Sequence, residues 1–485
     1  MKIQADYTKT RMDALYAVHL QDEYRQSVAE GKDIEEYQAL FCAVDRMPLD
    51  EHKAAMADVL SEIVLNAPMK EGYAYEEPSD LEGIRRLRPG KDAACGCGNK
   101  ALEETPGLEE AFRNAAEGVL ESSGKGAGKW DEEALQDKIH GAWMGRICGC
   151  LLGKTVEGIR TDELIPLLEQ SGNYPMHRYI ESGDVTPYMR ENYRFFKERQ
   201  QVFFADQVSF MPFDDDMNYV VMAQKLIEKY GRSFTPYDMS QEWLRLQPMT
   251  SYFTAEAVAY RNFSLGIQPP DSAVYQNPFR EWIGAQIRGD YFGYINPGNP
   301  QAAAELAWRD ASISHVKNGI YGEMFVAAML AEAAVKEDLE EIIRGGMAQI
   351  PQTSRLYEHL EKVIGWYNSG ISEKECFDRI HEEWDEHTLY GWCHTISNAM
   401  IVAASLLYGR GDYGKSICLA VQTGFDTDCN GATVGSVLGI RGGASSIPEE
   451  WTRPIHETLE TTIFGMDKAA VKDLADMTMR HIQGR

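Results

Sequence analysis

No run of eighteen apolar residues occurs in the 485-residue chain, so no segment reads as a membrane-spanning helix. The first twenty residues carry charges every few positions and lack the unbroken apolar stretch of a secretory leader, which makes a cytoplasmic protein the expectation. Positive charge is scarce: 48 Lys and Arg stand against 75 Asp and Glu, a net of −27. That average field repels phosphate polymers and anionic lipid, so neither nucleic acid nor a membrane is an expected partner. Cysteine is sparse as well. Nine residues, an odd number in so long a chain, argue for reduced thiols rather than a disulfide framework. Alternating β-branched runs are nearly absent, whereas apolar residues recur at three and four spacing along most of the chain.

The reading is therefore an all-α protein. Helices are expected in MNYVVMAQKLIEKYG, ending at Gly231, and in GIYGEMFVAAMLAEAAVKE, SRLYEHLEKVIGWYN, EKECFDRIHEEW, HTISNAMIVAASLLYG and GATVGSVLGI. Residues 1–121 read as a charged N-terminal helical region. The small, polar stretch 122–129 reads as a linker, and 130–485 as the main domain.

Three motif-like stretches fail on spacing. Gly149 to Thr155 resembles a P-loop but has three residues between its glycines instead of four, and it continues a helix. His381 and His387 lie six apart, which takes them off one helix face. Asp426 to Gly431 begins like a calcium loop, but Val437 stands where the bidentate Glu belongs. The Cys-Gly-Cys pairs at 95–97 and 148–150 are too closely spaced for an ordinary zinc site.

Three features survive. Asp214, Asp215 and Asp216 stand directly before an amphipathic helix, where one Asp suffices as a cap and three repel one another. Capping and cation binding are weighed equally on that motif alone. Asp426 and Asp428 open a second helix, whose Gly431, Gly435 and Gly439 recur every four residues. Five carboxylates without a thiolate or imidazole pattern favour hard cations and suffice for two ions about 3.5–4 Å apart. Gly141, Gly145, Gly149 and Gly153 stripe a third helix, and Glu157 follows the last of them by four residues. Composition alone makes Glu157 an ordinary surface residue.

In this order and spacing, the segment from about Lys138 to Gly443 resembles the ADP-ribosylglycohydrolase family. The glycine-spaced helix matches the family's opening segment, and Glu157 falls on its catalytic glutamate. Asp214-Asp215-Asp216-Met217 falls on its Thr-Asp-Asp-Thr metal motif. Gly424-Phe425-Asp426-Thr427-Asp428-Cys429 falls on Gly-Gly-Asp-Thr-Asp-Thr, and Ser314-His315 on a Ser/Thr-His element beside the ligand pocket. The chain departs from the pattern at Asp214 and Cys429, each in place of Thr. It departs again at Cys150, in place of an acidic residue, and at Ile283, in place of the Asn of a phosphate-binding Asn-Gly element.

The resemblance implies a compact multi-helix bundle with an additional N-terminal region. It implies Glu157 as general acid/base and two Mg²⁺ (or Mn²⁺) ions held by Asp214, Asp215, Asp216, Asp426, Asp428 and the Cys429 position. Substrate contacts are implied for Gly284, Gln286, Arg288, Ser314, His315, Gly424 and Thr427, with His315 equally readable as a core histidine. The implied activity is metal-dependent cleavage of the N- or O-glycosidic bond at the anomeric carbon of an ADP-ribosyl or smaller ribosyl compound, free or attached to a protein. Two alternatives stay open on the same fold: hydrolysis of a nucleoside or other small glycoside, favoured by Ile283, and a non-catalytic ligand-binding protein. The N-terminal region reads either as a cover over the pocket or as an oligomer contact, and the oligomeric state is open.

Overall fold

A computed structural model describes Arg11 and residues 15–90, 131–199 and 201–484. The expected linker at 122–129 and the Cys95–Cys97 pair lie outside the described residues. The principal elements are the helices α1 (Leu20–Ala29), α2 (Gln38–Asp45), α3 (Glu51–Asn66), α4 (Leu81–Leu87), α5 (Glu132–Lys154), α6 (Asp215–Tyr230), α7 (Lys317–Ala333), α8 (Thr395–Gly409), α9 (Thr427–Gly442) and α10 (Val471–Ile482). The fold is all-α, as the periodicity indicated. Among the described residues no helix is long and apolar enough to cross a membrane.

The centre of the molecule is a pair of glycine-striped helices. From Gly141 to Lys154, α5 is buried at every position, which a helix achieves only when other elements enclose it on all sides. It runs antiparallel to α9: Gly141 faces Gly439, Gly145 faces Gly435, Gly149 faces Gly431, and Gly153 faces Thr427. A Cβ built on any of these four α5 glycines would lie under 3 Å from opposing backbone. The two stripes noted in the sequence are therefore two halves of one contact. Polar side chains fasten it: the Tyr413 hydroxyl donates to the Gly145 carbonyl at 2.8 Å and the Thr427 hydroxyl to the Gly153 carbonyl at 2.9 Å.

One strand pair escaped the sequence reading. Thr458–Ile463 (β1) and Met466–Ala470 (β2) form an antiparallel hairpin, with Gly465 at φ +78° in its turn. The signal was the run Thr-Leu-Glu-Thr-Thr-Ile two residues before a glycine, short enough to be lost among helices. The hairpin braces the approach to α6. The Met211 N–H donates to the Thr458 carbonyl and the Glu460 N–H to the Met211 carbonyl, both at 2.9 Å. Asn218 on α6 exchanges two hydrogen bonds with Thr462.

The N-terminal helices α1 to α3 have a small core of their own, built on Leu20, Ile34, Phe41, Val44 and Leu60. Buried ion pairs join them to the main body. Arg280 reaches Glu23 at 2.8 Å and Glu30 at 2.6 Å, and Arg355 reaches Glu77 at 2.8 Å and Glu281 at 2.7 Å. Ile84 of α4 belongs to the main core.

The glycine contact makes a direct prediction. Gly149→Ala, which forces a Cβ onto the Gly431 carbonyl, lowers stability by about 3 kcal/mol or prevents folding. Gly365→Ala, on a helix facing open space, is neutral or stabilising by up to about 1 kcal/mol. Chemical denaturation of the two variants side by side checks this, and equal stabilities would refute it.

Candidate metal centre and cleft

Two helix starts and one helix end meet at the acidic cluster. Asp214 is the N-cap of α6, in extended backbone at φ −152°, and its Oδ1 accepts from the Asp216 N–H at 2.9 Å. Its Oδ2 accepts from Lys154 Nζ, at the end of α5, at 2.7 Å. Asp216 is fully buried. Its Oδ1 accepts from Arg146 Nη2 at 2.9 Å and its Oδ2 from the Cys429 thiol at 3.0 Å. Asp426 caps α9 without a side-chain cap bond, and Asp428 stands in that helix's first turn. Ligand atoms of Asp216, Asp428 and Cys429 lie within 4.8 Å of one another, and so do those of Asp214, Asp215 and Asp216. Asp216 belongs to both groups and joins the two motifs.

Capping and clustering are thus both realised in the triple Asp. The sequence reading missed what makes the cluster tolerable. Arg146, wholly buried, holds Asp216 on one side and Asp290, at 3.0 Å, on the other. A signal was present: Arg146 and Lys154 are the two cations on the otherwise uncharged, glycine-striped stretch from Gly141 to Lys154, and a buried cation needs an anion. Asn398 on α8 also went unread. Its Oδ1 accepts from the Asp426 N–H at 3.3 Å and from Asn430 Nδ2 at 2.8 Å.

The two cations do not balance the cluster. Burial, reinforced by Asp214 and Asp216, pushes the Asp215 carboxyl well above the usual range. Burial does the same to Asp216, outweighing Arg146, and to Asp428, with Glu157 and Asp426 adding to it. Asp426 is pushed by burial up to about 6. The Asp428 Oδ1 is buried with no hydrogen-bond partner. An oxygen-rich, over-negative pocket with an orphaned carboxylate oxygen fits a hard divalent cation. Burial and then Asp216 raise the Cys429 thiol well above the ordinary value, and the thiol donates to Asp216; sulfur is also a poorer partner than oxygen for a hard cation. Cys148 and Cys150 are buried thiols raised by the same desolvation, and among the described residues neither belongs to a cluster of three possible metal ligands.

Glu157 lies just past the end of α5, one residue before Gly158 at φ +87°. Its Oε2 is 3.1 Å from Arg199 Nη2, with the side chain about 30% exposed. It borders one small cleft together with Lys154, Phe213, Asp214, Asp215 and Phe253. Other expected ligand contacts are placed differently. Thr427 is buried, and its hydroxyl ties α9 to α5. Gly424 has φ +75°, and a Cβ there would meet the Glu386 carboxylate.

Arg288 is fully buried and spent on protein acceptors: Asp310 and Glu256, both at 2.7 Å, and the Ser314 hydroxyl at 3.1 Å. Ser314 in turn meets His315 Nδ1 at 2.8 Å. Gly284 packs against Glu256, and Gln286 is buried. These five residues form a second buried polar cluster around Arg288. None of them lines the cleft that holds Glu157 and Asp215. The reason is charge: a guanidinium between Glu256, Asp310 and Glu323 has no donor to spare for a substrate.

A family model described as ADP-ribosylglycohydrolase matches residues 131–485. Among solved structures the chain is similar to one named "ADP-ribosylglycohydrolase-related protein complex", at 17% identity and a TM-score of 0.45, over 72% of this chain and 99% of that one. No curated protein sequence matches.

Desolvated carboxylates make stability depend on pH. In metal-free protein, Asp426 titrates near 6 against an ordinary value of 3.8. Between those values the folded state holds a proton that the unfolded chain has released, so stability falls as pH rises through that window. The thermal midpoint of metal-free wild type falls from pH 4 to 6 relative to that of Asp426→Asn. At pH 7, Mg²⁺ or Mn²⁺ raises the wild-type midpoint and not that of an Asp216→Ala/Asp426→Ala variant. An equal metal-induced shift in both proteins would refute the cation site.

Proposed function

The chain belongs to the ADP-ribosylglycohydrolase family and is a glycosyl hydrolase; on that footing we propose that it cleaves the bond between the anomeric carbon of a ribose and an N- or O-linked group, at a centre of one or two divalent cations, Mg²⁺ or Mn²⁺. The observation that carries this reading is the convergence of Asp214, Asp215 and Asp216 with Asp428, Asp426 acting on the same group, and Glu157 on the rim of the adjoining cleft.

Asp215, Asp216, Asp426 and Asp428 would hold the cations, with Asp214 contributing from beside Lys154. When bound, such an ion orients ribose hydroxyls and lowers the pKa of a coordinated water. The chain's own groups do the rest. Arg146 fixes Asp216 from behind through a hydrogen bond to its Oδ1, and the Cys429 thiol fixes its other oxygen, Oδ2. Together they set the direction in which that carboxylate can ligate. Glu157, on the solvent side, moves the proton. It takes one from the attacking water, whose oxygen bonds to the anomeric carbon, and returns one to the leaving group, which departs with the electron pair of the broken bond. Positive charge that develops on the sugar in this step faces the carboxylates of the cluster.

Glu157→Gln is expected to retain metal and ligand binding and to lose turnover by about 10²-fold or more. Mass-spectrometric detection of free ribose or ADP-ribose, run beside metal calorimetry, separates the two effects. Undiminished turnover in that variant would remove Glu157 from the mechanism.

A further inference from the structure

The cleft beside the acidic cluster has lining and size that narrow the substrate. Its volume is about 150 Å³, below the roughly 300–1,000 Å³ of sites that enclose a drug-sized ligand. Among its described lining residues Lys154 is the only cation, and it is bound to Asp214. Arg199 nearby is held by Glu157, and the Arg11 guanidinium donates to the Met249 and Tyr252 carbonyls. Around the site Asp214, Asp215, Asp216, Asp290, Asp426, Asp428 and Glu157 stand against Arg146, Lys154 and Arg199, while Arg160 is offset by Glu386. Seven carboxylates against three cations leave an excess of four negative charges, so even two divalent ions would only neutralise the site and leave no surplus positive charge for a diphosphate.

The same cleft carries two large rings in contact with solvent, Phe213 at 48% exposure and Phe253 at 51%. A cation already lies over each: Lys154 Nζ is 5.9 Å from the Phe213 centroid, and the Arg11 guanidinium carbon is 5.2 Å from that of Phe253. Half-exposed aromatic rings beside a sugar-sized recess suit a planar group attached to that sugar, and the carboxylates of Glu157, Asp214 and Asp215 on the same cleft favour a neutral or positively charged one over an anion.

Resting on the glycohydrolase reading above, we propose that the substrate is an unphosphorylated N-riboside whose planar, uncharged or cationic aglycone packs on Phe213 and Phe253, and that ADP-ribosyl compounds are disfavoured. Water oxygen bonds to the anomeric carbon, and the bond to the aglycone nitrogen breaks with its electron pair staying on nitrogen. An uncharged base receives the proton returned by Glu157. A pyridinium departs neutral, and the proton from water passes to solvent.

The test uses the Mg²⁺-loaded full chain with inosine, nicotinamide riboside and ADP-ribosyl-arginine, read by mass spectrometry, together with calorimetric binding of the two ribosides to the Glu157→Gln protein. Riboside turnover exceeding that of ADP-ribosyl-arginine, with riboside binding to the variant, is expected. Phe213→Ala and Phe253→Ala are expected to raise the riboside KM about tenfold with little change in kcat, and Phe253→Tyr to restore it. Turnover of ADP-ribosyl-arginine alone would overturn the substrate assignment and leave the glycohydrolase reading intact. So would a riboside KM that ignores both alanine substitutions. No turnover of any probe, with no Mg²⁺ binding, would overturn the glycohydrolase reading itself.

Discussion

Two helices touching backbone to backbone is the constraint on which the rest of the structure depends. Helices α5 and α9 meet along a row where glycine opposes glycine, so close that no side chain fits between them. Glycine in a helix interior is costly, by about 1 kcal/mol each relative to alanine. Seven of them on two facing stripes make sense only if the approach itself is required. The approach brings the start of α9, which carries Asp426, Asp428 and Cys429, against the end of α5, which carries Arg146, Cys150 and Lys154. Those two cations then reach Asp216 and Asp214 at the start of α6. A separation larger by one methyl group would move the two acidic motifs apart.

The electrostatics of the cluster follow from that closeness. Carboxylates gathered from two chain segments are stripped of water, and burial alone drives them toward the neutral form. Arg146 and Lys154 offset part of the repulsion and fix the orientation of two carboxylates without quenching the negative excess. What remains is an excess of desolvated negative charge, which suits a hard cation. The stability that desolvated carboxylates cost locally is regained in a core that runs through nearly every helix of the main body.

The N-terminal helices are joined to this body by desolvated charge rather than by a broad apolar face. Arg280 and Arg355 are buried: Arg280 of the main body pairs with Glu23 and Glu30 of the N-terminal part, and Arg355 with Glu77 of the N-terminal part and Glu281 of the main body. Such pairs add little net stability, but removing one partner strands the other, so they specify how the two parts meet. Phe279 and Trp282, either side of Arg280, pack with Tyr390 and Cys393 in a small cluster against which Trp392 rests. Trp392 in turn donates its indole N–H to the Phe425 carbonyl, next to Asp426. The N-terminal region thus packs, through Ala29, on the same small cluster as Trp392, which holds the segment that leads into the second acidic motif.

Much of this was legible in the sequence. Periodicity revealed the helices, because a buried stripe must recur every three to four residues whatever it packs against. The triple Asp, the Asp-Thr-Asp and both glycine stripes were visible as local patterns, and their order pointed to the family. The hairpin was missed because six residues of strand among long helices carry little periodic signal. Arg288, Ser314 and His315 were expected at the ligand because their order along the chain matched. In the structure Arg288 is held by Glu256, Asp310 and Glu323 from other helices, and pairings of that kind leave no trace in local sequence. Sequence by itself determined which residues are acidic, which faces are bare of side chains and where helices start, since these are properties of neighbours along the chain. Only the tertiary structure decided that the two glycine faces meet each other, that Arg146 and Cys429 divide the two oxygens of Asp216, and that Arg288 is spent in the interior, because each depends on distances between segments far apart in sequence.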